Sequence, residues 1–453
     1  MPKSAVASII YTTPWDMIGA LMTSVLGDFF ELQRGTTYKS ALLGRPGPVL
    51  LGLGSIARNG GFKEGNLKTY GGPCDPRHLL TPGEIYVSLK DVTQSADLLG
   101  AVARVPSHIP LGRLTQDTVK LVFKDKNAPR TYLYWLLQTP QYREYCRAHS
   151  TGTTNLGLAR DDFLNFEVPP LTSERQWIVD LVQNFEDKIE LNRRMNETLE
   201  GMAQAIFRDW FVDFGPVRRK AAGVVDPVAI MGGLTTDPAR AAQLASLFPA
   251  AFGNDGLPVG WIERPLDSIA EFLNGLALQK HPAKAGEPDL PVIKIAELRN
   301  GLSDRTNRAA RSLPAKYIIR DGDFIFSWSG SLMAKVWTKG DGALNQHLFK
   351  VSSDSYPQWF YALWVHHHLP EFQLIAASKA TTMGHIQRMH LTNAATVCPP
   401  DPAIVAMSGV MQPLWDRMIH NELENHTLAE TRDYLLPRLM SGEVRVAPQV
   451  ETA

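Results

Sequence analysis

Apolar residues recur along two stretches of the chain at alternating intervals of four and three. The first runs Ile178, Val182, Phe185, Ile189, Asn192, Asn196, Leu199, Ala203, Ile206, Trp210. The second, displaced by 229 residues, runs Met407, Met411, Leu414, Met418, Asn421, Asn425, Leu428, Arg432, Leu435, Leu439. A period of 3.5 is the seam of a coiled coil. Helix punctuation brackets both. Ser173 offers an N-cap with Gln176 three residues on, and Gly215-Pro216 stops the first stretch. Asp401 before Pro402 opens the second, and Ser441-Gly442 closes it. Each stretch is expected as a helix of about 40 residues, roughly 60 Å long at 1.5 Å per residue. Asn occupies the same two stations of each seam. Antiparallel packing sets Asn192 on Asn425 and Asn196 on Asn421, and with them Ile189 on Leu428, Val182 on Leu435, Leu199 on Met418 and Ile206 on Met411. Parallel packing also aligns Asn with Asn, so the pattern leaves the direction open. Two matched polar layers set the register rather than being tolerated core groups.

Elsewhere the pattern shortens to strand-like apolar runs: 48–54, 84–89 and 118–123 in the first half, 291–295, 323–328 and 348–352 in the second. Helical segments at 130–138 and 357–368 accompany them, with Gly-rich and polar loops between. Residues 216–257, rich in Ala, Gly and Pro around a short helical "ARAAQLASLF", read as a linker. The two halves align with each other. "LTQDTVKL" (114–121) matches "LNQHLFKV" (344–351) at offset 230, the Pro pairs Pro169-Pro170 and Pro399-Pro400 match at 230, "STGTT" (150–154) matches "SKATT" (378–382) at 228, and "PGEIYVS" (82–88) matches "DGDFIFS" (321–327) at 239. Common order and near-common spacing make the chain an imperfect duplication.

Length and charge narrow the classes. At 453 residues the chain has room for several domains with true cores. The net charge of zero hides two basic blocks, +5 over 31–171 (17 Lys and Arg against 12 Asp and Glu) and +3 over 258–400 (15 against 12), offset by acidic segments such as −4 over 401–453. Such blocks point weakly toward a polyanion. Cys74, Cys146 and Cys398 form no CxxC pair, so neither a zinc site nor a disulfide framework fits, and a reducing, cytoplasmic setting is expected. No signal peptide and no run of 18 apolar residues is found.

The usual catalytic signatures are missing. There is no GxxxxGK[ST], HExxH or GxSxG, and "GLGSIA" (52–57) lacks the third Gly of a dinucleotide fingerprint. His366, His367 and His368 are consecutive, so they point around a helix rather than at one metal, and a solvated helix end is expected. "PDLPVIK" (288–294) faintly resembles a nuclease carboxylate–lysine pattern, but a strand with flanking charges is the better reading. No catalytic or metal-binding residue is expected; the chain looks like a binder.

The block "LNRRMNETLEGMAQAIFRDWFVDFGPVRRKAAG" (191–223), followed by "AAQLASLFPAAF" (241–252) and "GLPVGW" (256–261), resembles the specificity subunits of type I restriction-modification enzymes. The likeness extends over nearly the whole chain, with "DWFVDFGPVR" (209–218) its most characteristic segment. It implies an α+β fold: two target-recognition domains of mixed strands and helices, separated by two long antiparallel coiled-coil helices. The corresponding division is 1–171 and 258–400 for the recognition domains, 172–215 and 401–442 for the spacer helices, 216–257 for the linker and 443–453 for a tail. The resemblance further implies that each domain reads one half of a split, asymmetric sequence in double-stranded DNA, and that helix length sets the gap. Two DNA-adenine methyltransferase subunits are the implied partners, with restriction subunits optional. S-adenosylmethionine, ATP and Mg²⁺ would belong to those partners, with no cofactor in this chain.

Phosphate contacts position such a protein and base-edge contacts specify, so loop Lys and Arg beside short donors and aromatic groups are the candidates. In the first domain these are Lys39, Arg58, Asn59, Lys63, Ser88, Lys90, Thr153, Thr154, Asn155 and Arg160. In the second they are Lys280, Lys294, Arg299, Asn300, Trp328, Ser329, Ser331, Lys379, Thr381, Thr382, His385 and Arg388. The loops 150–155 and 378–385 rank first because they recur at equivalent places. Gln116 and Gln346 also recur, within strand-like runs where a structural role fits. Trp210, Phe211 and Phe214 fit either core packing or partner docking. The rival readings are an adaptor with protein or glycan ligands and a degenerate nuclease. Deleting one heptad from residues 178–210 alone should misalign the Asn layers and impair assembly with a methyltransferase, measured by co-purification; unchanged assembly would refute the seam.

Overall fold

The computed structural model describes residues 24–441 apart from 66, 93–94, 154, 304 and 379–383, and the tail 443–453 lies outside the described residues. The chain forms two compact units. Unit one comprises the chain to Phe185 with the segment from Thr431, and unit two comprises Glu186–Glu430.

In unit one the run at 84–89 forms the strand Ile85–Ser88, inside a four-stranded antiparallel sheet ordered Phe30–Arg34, Thr118–Phe123, Ile85–Ser88, Val102–Arg104. Its side chains alternate between two cores, as the two-residue strand period requires. Ile85 and Val87 pack with Leu133, Trp135 and Tyr142 of the helices Arg130–Leu136 and Pro140–Ala148. Tyr86, between them, joins Leu51, Leu80 and Leu114 of a three-stranded sheet, Val49–Leu51, Gly112–Leu114, Leu79–Leu80. A strand buried on both faces reads as a continuous apolar run.

Unit two repeats this plan, with one strand added to its second sheet. Its four-stranded sheet is ordered Glu271–Asn274, Leu348–Ser352, Phe324–Ser327, Met333–Val336. Its second sheet is ordered Arg308–Ala310, Asp289–Ile293, Gly342–Leu344, Ile318–Ile319. The register recurs too, with Tyr86 opposite Lys120 and Ile325 opposite Lys350. Each second sheet contains one parallel pair, Val49–Leu51 with Gly112–Leu114 and Asp289–Ile293 with Gly342–Leu344. Glycine permits both pairs, because a Cβ at Gly112 would lie 2.3 Å from Leu51 Cδ1, and one at Gly342 2.5 Å from Ile293 Cγ1.

One polar set is duplicated nearly atom for atom. Lys120 Nζ lies 2.7 Å from Glu84 and donates to the Leu79 carbonyl, while Thr81 N–H donates to Glu84. Lys350 Nζ lies 2.7 Å from Asp323 and donates to the Ile318 carbonyl, while Arg320 N–H donates to Asp323. Burial opposes the Glu84 charge, but Lys120 and the Thr81 donors hold its carboxyl below the ordinary value.

The two seams form the helices Ser173–Phe207 and Asp401–Ser441. The first α-helix has 35 residues, and a π-helical turn Arg208–Val212 carries it toward its stop. In unit two the packing is antiparallel. Asn192 Nδ2 donates to Asn425 Oδ1 at 3.0 Å, and Asn421 Nδ2 donates to Asn196 Oδ1 at 2.8 Å. Asn192 also donates to Glu424 at 2.7 Å, where Lys188 lies at 3.3 Å, and together they hold the Glu424 carboxyl below its ordinary value. In unit one Val182 shares a core with Leu435 and Leu436, and the Arg432 guanidinium lies over the Trp135 ring.

Two expectations are corrected. Residues 216–257 are not a loose linker. They form the helices Gly215–Ala221, Pro227–Ile230 and Pro238–Ala245, and Val217, Ile230, Leu244 and Phe248 are buried in the aromatic core with Trp210, Phe211 and Trp261. Arg219 binds Asp209 through both guanidinium nitrogens, at 3.1 and 2.7 Å, and tethers this segment to the helix end. Phe214 adopts a left-handed φ of 51° at the turn and packs near Phe252 and Trp261. The three histidines, expected at a solvated helix end, sit midway along the helix Gln358–Ser378. His366 meets the Phe324 ring, and burial pushes its pKa down to about 4. His368 Nε2 lies 2.9 Å from the Ala395 carbonyl, and His367 alone is exposed.

Asn192→Ala leaves the amide of Asn425 and the carboxylate of Glu424 short of a donor. Leaving buried partners unsatisfied costs about 1–3 kcal/mol, so chemical denaturation of the full chain should show a loss of that size.

Candidate nucleic-acid interface

At one end of each four-stranded sheet three loops converge, and the same elements supply them in both units. In unit one the chain leaves Ile85–Ser88 into Lys90–Asp91, which pairs with Leu156–Leu158, which in turn pairs with Ser150–Thr151. Gly157 lies opposite Lys90, so the turn carrying Thr153 and Asn155 stands on the same small sheet. The turn at 115–117 completes the cluster, where Lys90 Nζ meets Asp117 Oδ1 at 3.3 Å. In unit two the chain leaves Phe324–Ser327 into Trp328–Ser331, and Ser329 bridges to His385. Gly330 N–H donates to the Gly384 carbonyl and Ile386 N–H to the Trp328 carbonyl. The turn at 345–347 closes this cluster, with Ser329 Oγ 3.0 Å from His347 Nδ1 and Gln346 Nε2 3.2 Å from His347 Nε2. Trp328 lies beside His347 and His385 and donates from its indole to Asn274 Oδ1 at 3.0 Å.

The loops are held from beneath. Ser88 and Ser327 are both fully buried; Ser88 Oγ donates to the Lys90 carbonyl and Ser327 Oγ to the Ser331 carbonyl. A Cβ at Gly35 would stand 2.1 Å from the Thr115 carbonyl oxygen, and one at Gly275 2.2 Å from that of Asn345. In unit one the loop after Asp91 is further fixed by Arg143, a buried side chain on the helix Pro140–Ala148 that donates to the carbonyls of Ala96, Asp97 and Leu99. Asp91 accepts from the Leu98 N–H, and Ala96 is held at a left-handed φ of 54°.

The candidates distribute unevenly over this geometry. Lys90, Thr153 and Asn155 gather in unit one, and Arg58 and Asn59 join them through Asp97, at 3.7 Å from Arg58 and through the Asn59 N–H. Trp328, Ser329, Ser331 and His385 gather in unit two. Arg388 follows on the same segment, reaching the Phe272 carbonyl and lying over the Phe349 ring. Ser88, expected as a contact, instead supports the loop from inside. Among the described residues, no bond brings the others to the cluster. Lys39 flanks the turn Ser40–Leu42, Lys63 follows a backbone bond to Ser55, and Arg160 caps the Leu32 carbonyl. Lys280 ends the turn Leu278–Lys280; Lys294 bonds Asn307 at the start of the helix Ile295–Asn300, which carries Arg299 and Asn300. Thr154, Lys379, Thr381 and Thr382 lie outside the described residues. Asp117, His347, Asn274 and Arg143 were not anticipated. The signal for the first two was present, because Asp117 and His347 are the divergent fourth position of the aligned "LTQD" and "LNQH".

The residues with a faint nuclease pattern have structural partners: Asp289 pairs with Arg308 at 2.6 Å across neighbouring strands, and Lys294 Nζ donates to Asn307 Oδ1. Trp210 and Phe211 are buried in the core of unit two. Among the described residues no helix is long and apolar enough to cross a membrane.

Residues 258–419 match the type I restriction modification DNA specificity domain. The chain is 24% identical over 324 residues to the MjaIX specificity subunit of Methanocaldococcus jannaschii, covering 70% of this chain and 69% of that protein. It is 25% identical over 354 residues to the HindI specificity subunit of Haemophilus influenzae, covering 69% and 77%. Residues 258–419 thus resemble a type I specificity domain, and the chain is similar over about 70% of its length to type I specificity subunits. A crystal structure of the S subunit from M. genitalium covers 92% of this chain and 95% of that one, at 12% identity and a TM-score of 0.49. The family match takes in the unit-two loop cluster, from Trp328 to Arg388.

Arg143→Met removes its donors from the carbonyls of Ala96, Asp97 and Leu99, and frees Ala96 from its left-handed conformation. A left-handed non-glycine residue costs roughly 1–2 kcal/mol, so the loop 91–99 should relax. Amide hydrogen exchange across that loop should accelerate while the strand Thr118–Phe123 keeps its protection.

Proposed function

We propose that this specificity subunit reads a bipartite, asymmetric DNA target, one half-site through the loop cluster of each unit, and that it directs the DNA-adenine methyltransferase subunits to it. The observation that carries the reading is the duplicated loop end: one backbone framework, built twice, presenting different side chains. A protein that reads two unlike half-sites needs such an arrangement, because the framework sets the approach to the groove while the presented groups choose the base. The basic balance of 31–171 and 258–400 supports it through phosphate attraction.

The chain acts without catalysis in this reading. S-adenosylmethionine, and ATP with Mg²⁺ where restriction subunits join, supply chemistry on partner subunits. This chain contributes recognition and a docking frame for two methyltransferase copies. The decisive measurement is single-molecule sequencing of genomic DNA from cells expressing the cognate methyltransferase with and without this chain. A split adenine-methylated motif that depends on the chain is expected. Replacing residues 150–155 should change or abolish one half of that motif only; equal loss in both halves would contradict the assignment of one half-site to each unit.

A further inference from the structure

The duplication allows the two units to serve as each other's control. Away from the loops, matched side chains keep their chemistry: Lys120 with Glu84 and Lys350 with Asp323 make the same bonds to the same backbone positions. At the loop end the backbone supports are also kept, as Ser88 matches Ser327 and the close approach at Gly35 matches that at Gly275. The side chains presented by this shared support are not kept. The strand register makes Lys90 the counterpart of Ser329 and Asp117 the counterpart of His347. Both pairs are in contact, at 3.3 Å in unit one and 3.0 Å in unit two. An ion pair in one unit has thus become a serine–histidine hydrogen bond in the other. The residue before it has changed from buried Leu89 to half-buried Trp328.

Divergence at this point is not needed to hold the fold. Lys90 retains 52% and Asp117 29% of their side-chain exposure, and an exposed ion pair contributes little to stability. The serines, the glycines and, in unit one, Arg143 already fix the loops.

We propose that positions 90 and 117 in unit one, and 329 and 347 in unit two, are the specificity-determining positions of this chain: Lys90 and Asp117 read base edges of one half-site, and the half-buried His347, oriented by buried Ser329, reads those of the other. The inference rests on the DNA-reading function proposed above. The chemistry of the pairs differs in kind. Lys90 supplies an ammonium suited to the O6 and N7 acceptors of guanine, and Asp117 an acceptor suited to the cytosine amino group. In unit two the half-buried His347 imidazole, held by Ser329 Oγ at Nδ1 and by the Gln346 amide at Nε2, stands in place of the ion pair, and Trp328 offers an apolar face of the kind that meets a thymine methyl group. Two different pairs on one framework make the target asymmetric.

Exchanging the pairs tests this in the full chain co-expressed with its methyltransferase. Ser329→Lys with His347→Asp installs the unit-one pair in unit two, and Lys90→Ser with Asp117→His makes the reverse exchange. The methylated motif is read by single-molecule sequencing. Each exchange should alter base preference within one half of the motif and leave the other half as in the wild type, the two exchanges affecting opposite halves. An unchanged motif at wild-type methylation levels overturns the proposal, and so does an effect of either exchange on both halves. Should an exchange abolish methylation, the purified complex of Ser329→Ala is measured against motif duplexes changed at one base pair. A fall in discrimination of ten-fold or more at one position supports the assignment; wild-type discrimination at every position overturns it. Failure of the underlying reading looks different, because the wild-type chain would then direct no methylation at all.

Discussion

The pairing of buried amides in the helix seam is the constraint on which the architecture depends. An Asn in an apolar seam is tolerated when it meets another hydrogen-bonding group, and a shift by one heptad would set it against Ile189 or Leu199 instead. Asn192 with Asn425, and Asn196 with Asn421, satisfy this in the antiparallel sense observed. The consequence in unit one is direct. Residues from the last helix, Leu435 and Leu436, complete a core with Ile178, Val179 and Val182, and Arg432 covers Trp135. A compact unit is thereby closed by segments from opposite ends of the sequence.

The second theme is a framework built twice. The parallel strand pairs, the glycines that let them approach, and the Lys–carboxylate sets recur with the same register. These elements carry the energetic load: strands buried on both faces, and charges paired where water is scarce. Relieved of that load, the loop ends are free to differ. This division between a retained support and a variable presented surface is what recognition of two unlike half-sites would require. The aromatic core at 207–261 follows the same logic, since the π-helical turn and the Asp209–Arg219 pair direct the chain from the long helix into the segment that covers unit two.

Particular residues show what was legible and why. The runs 84–89 and 323–328 read as strands because both faces are buried, and 118–123 because apolar and β-branched residues dominate it, and each formed its strand. Val102–Arg104 and Met333–Val336 are short edge strands with little apolar signal, and went unseen. Residues 216–257 read as a linker because Gly and Pro punctuate them, yet Ile230, Leu244 and Phe248 find burial against aromatic residues distant in sequence. His366 looked solvated for a related reason: its neighbour, Phe324, is a strand residue that sequence proximity does not reveal. At the interface, polar loop residues could be nominated but not sorted. Ser88 and Ser329 are both loop-end serines, and Ser88 is one of the supports while Ser329 belongs to the divergent pair.

By itself the sequence determined the features that depend on local period and on comparison of the chain with itself: two long heptad helices, two polar layers at matched stations, a duplicated α+β plan, and a relationship to the specificity subunits. Direction of the helix pair, the partners of buried groups and the grouping of loops were decided only by the tertiary structure. The physical reason is that these depend on which groups distant in sequence share a desolvated site. A heptad repeat allows either direction until Asn192 finds Asn425, and a loop lysine has no assigned neighbour until the fold sets Asp117 beside it.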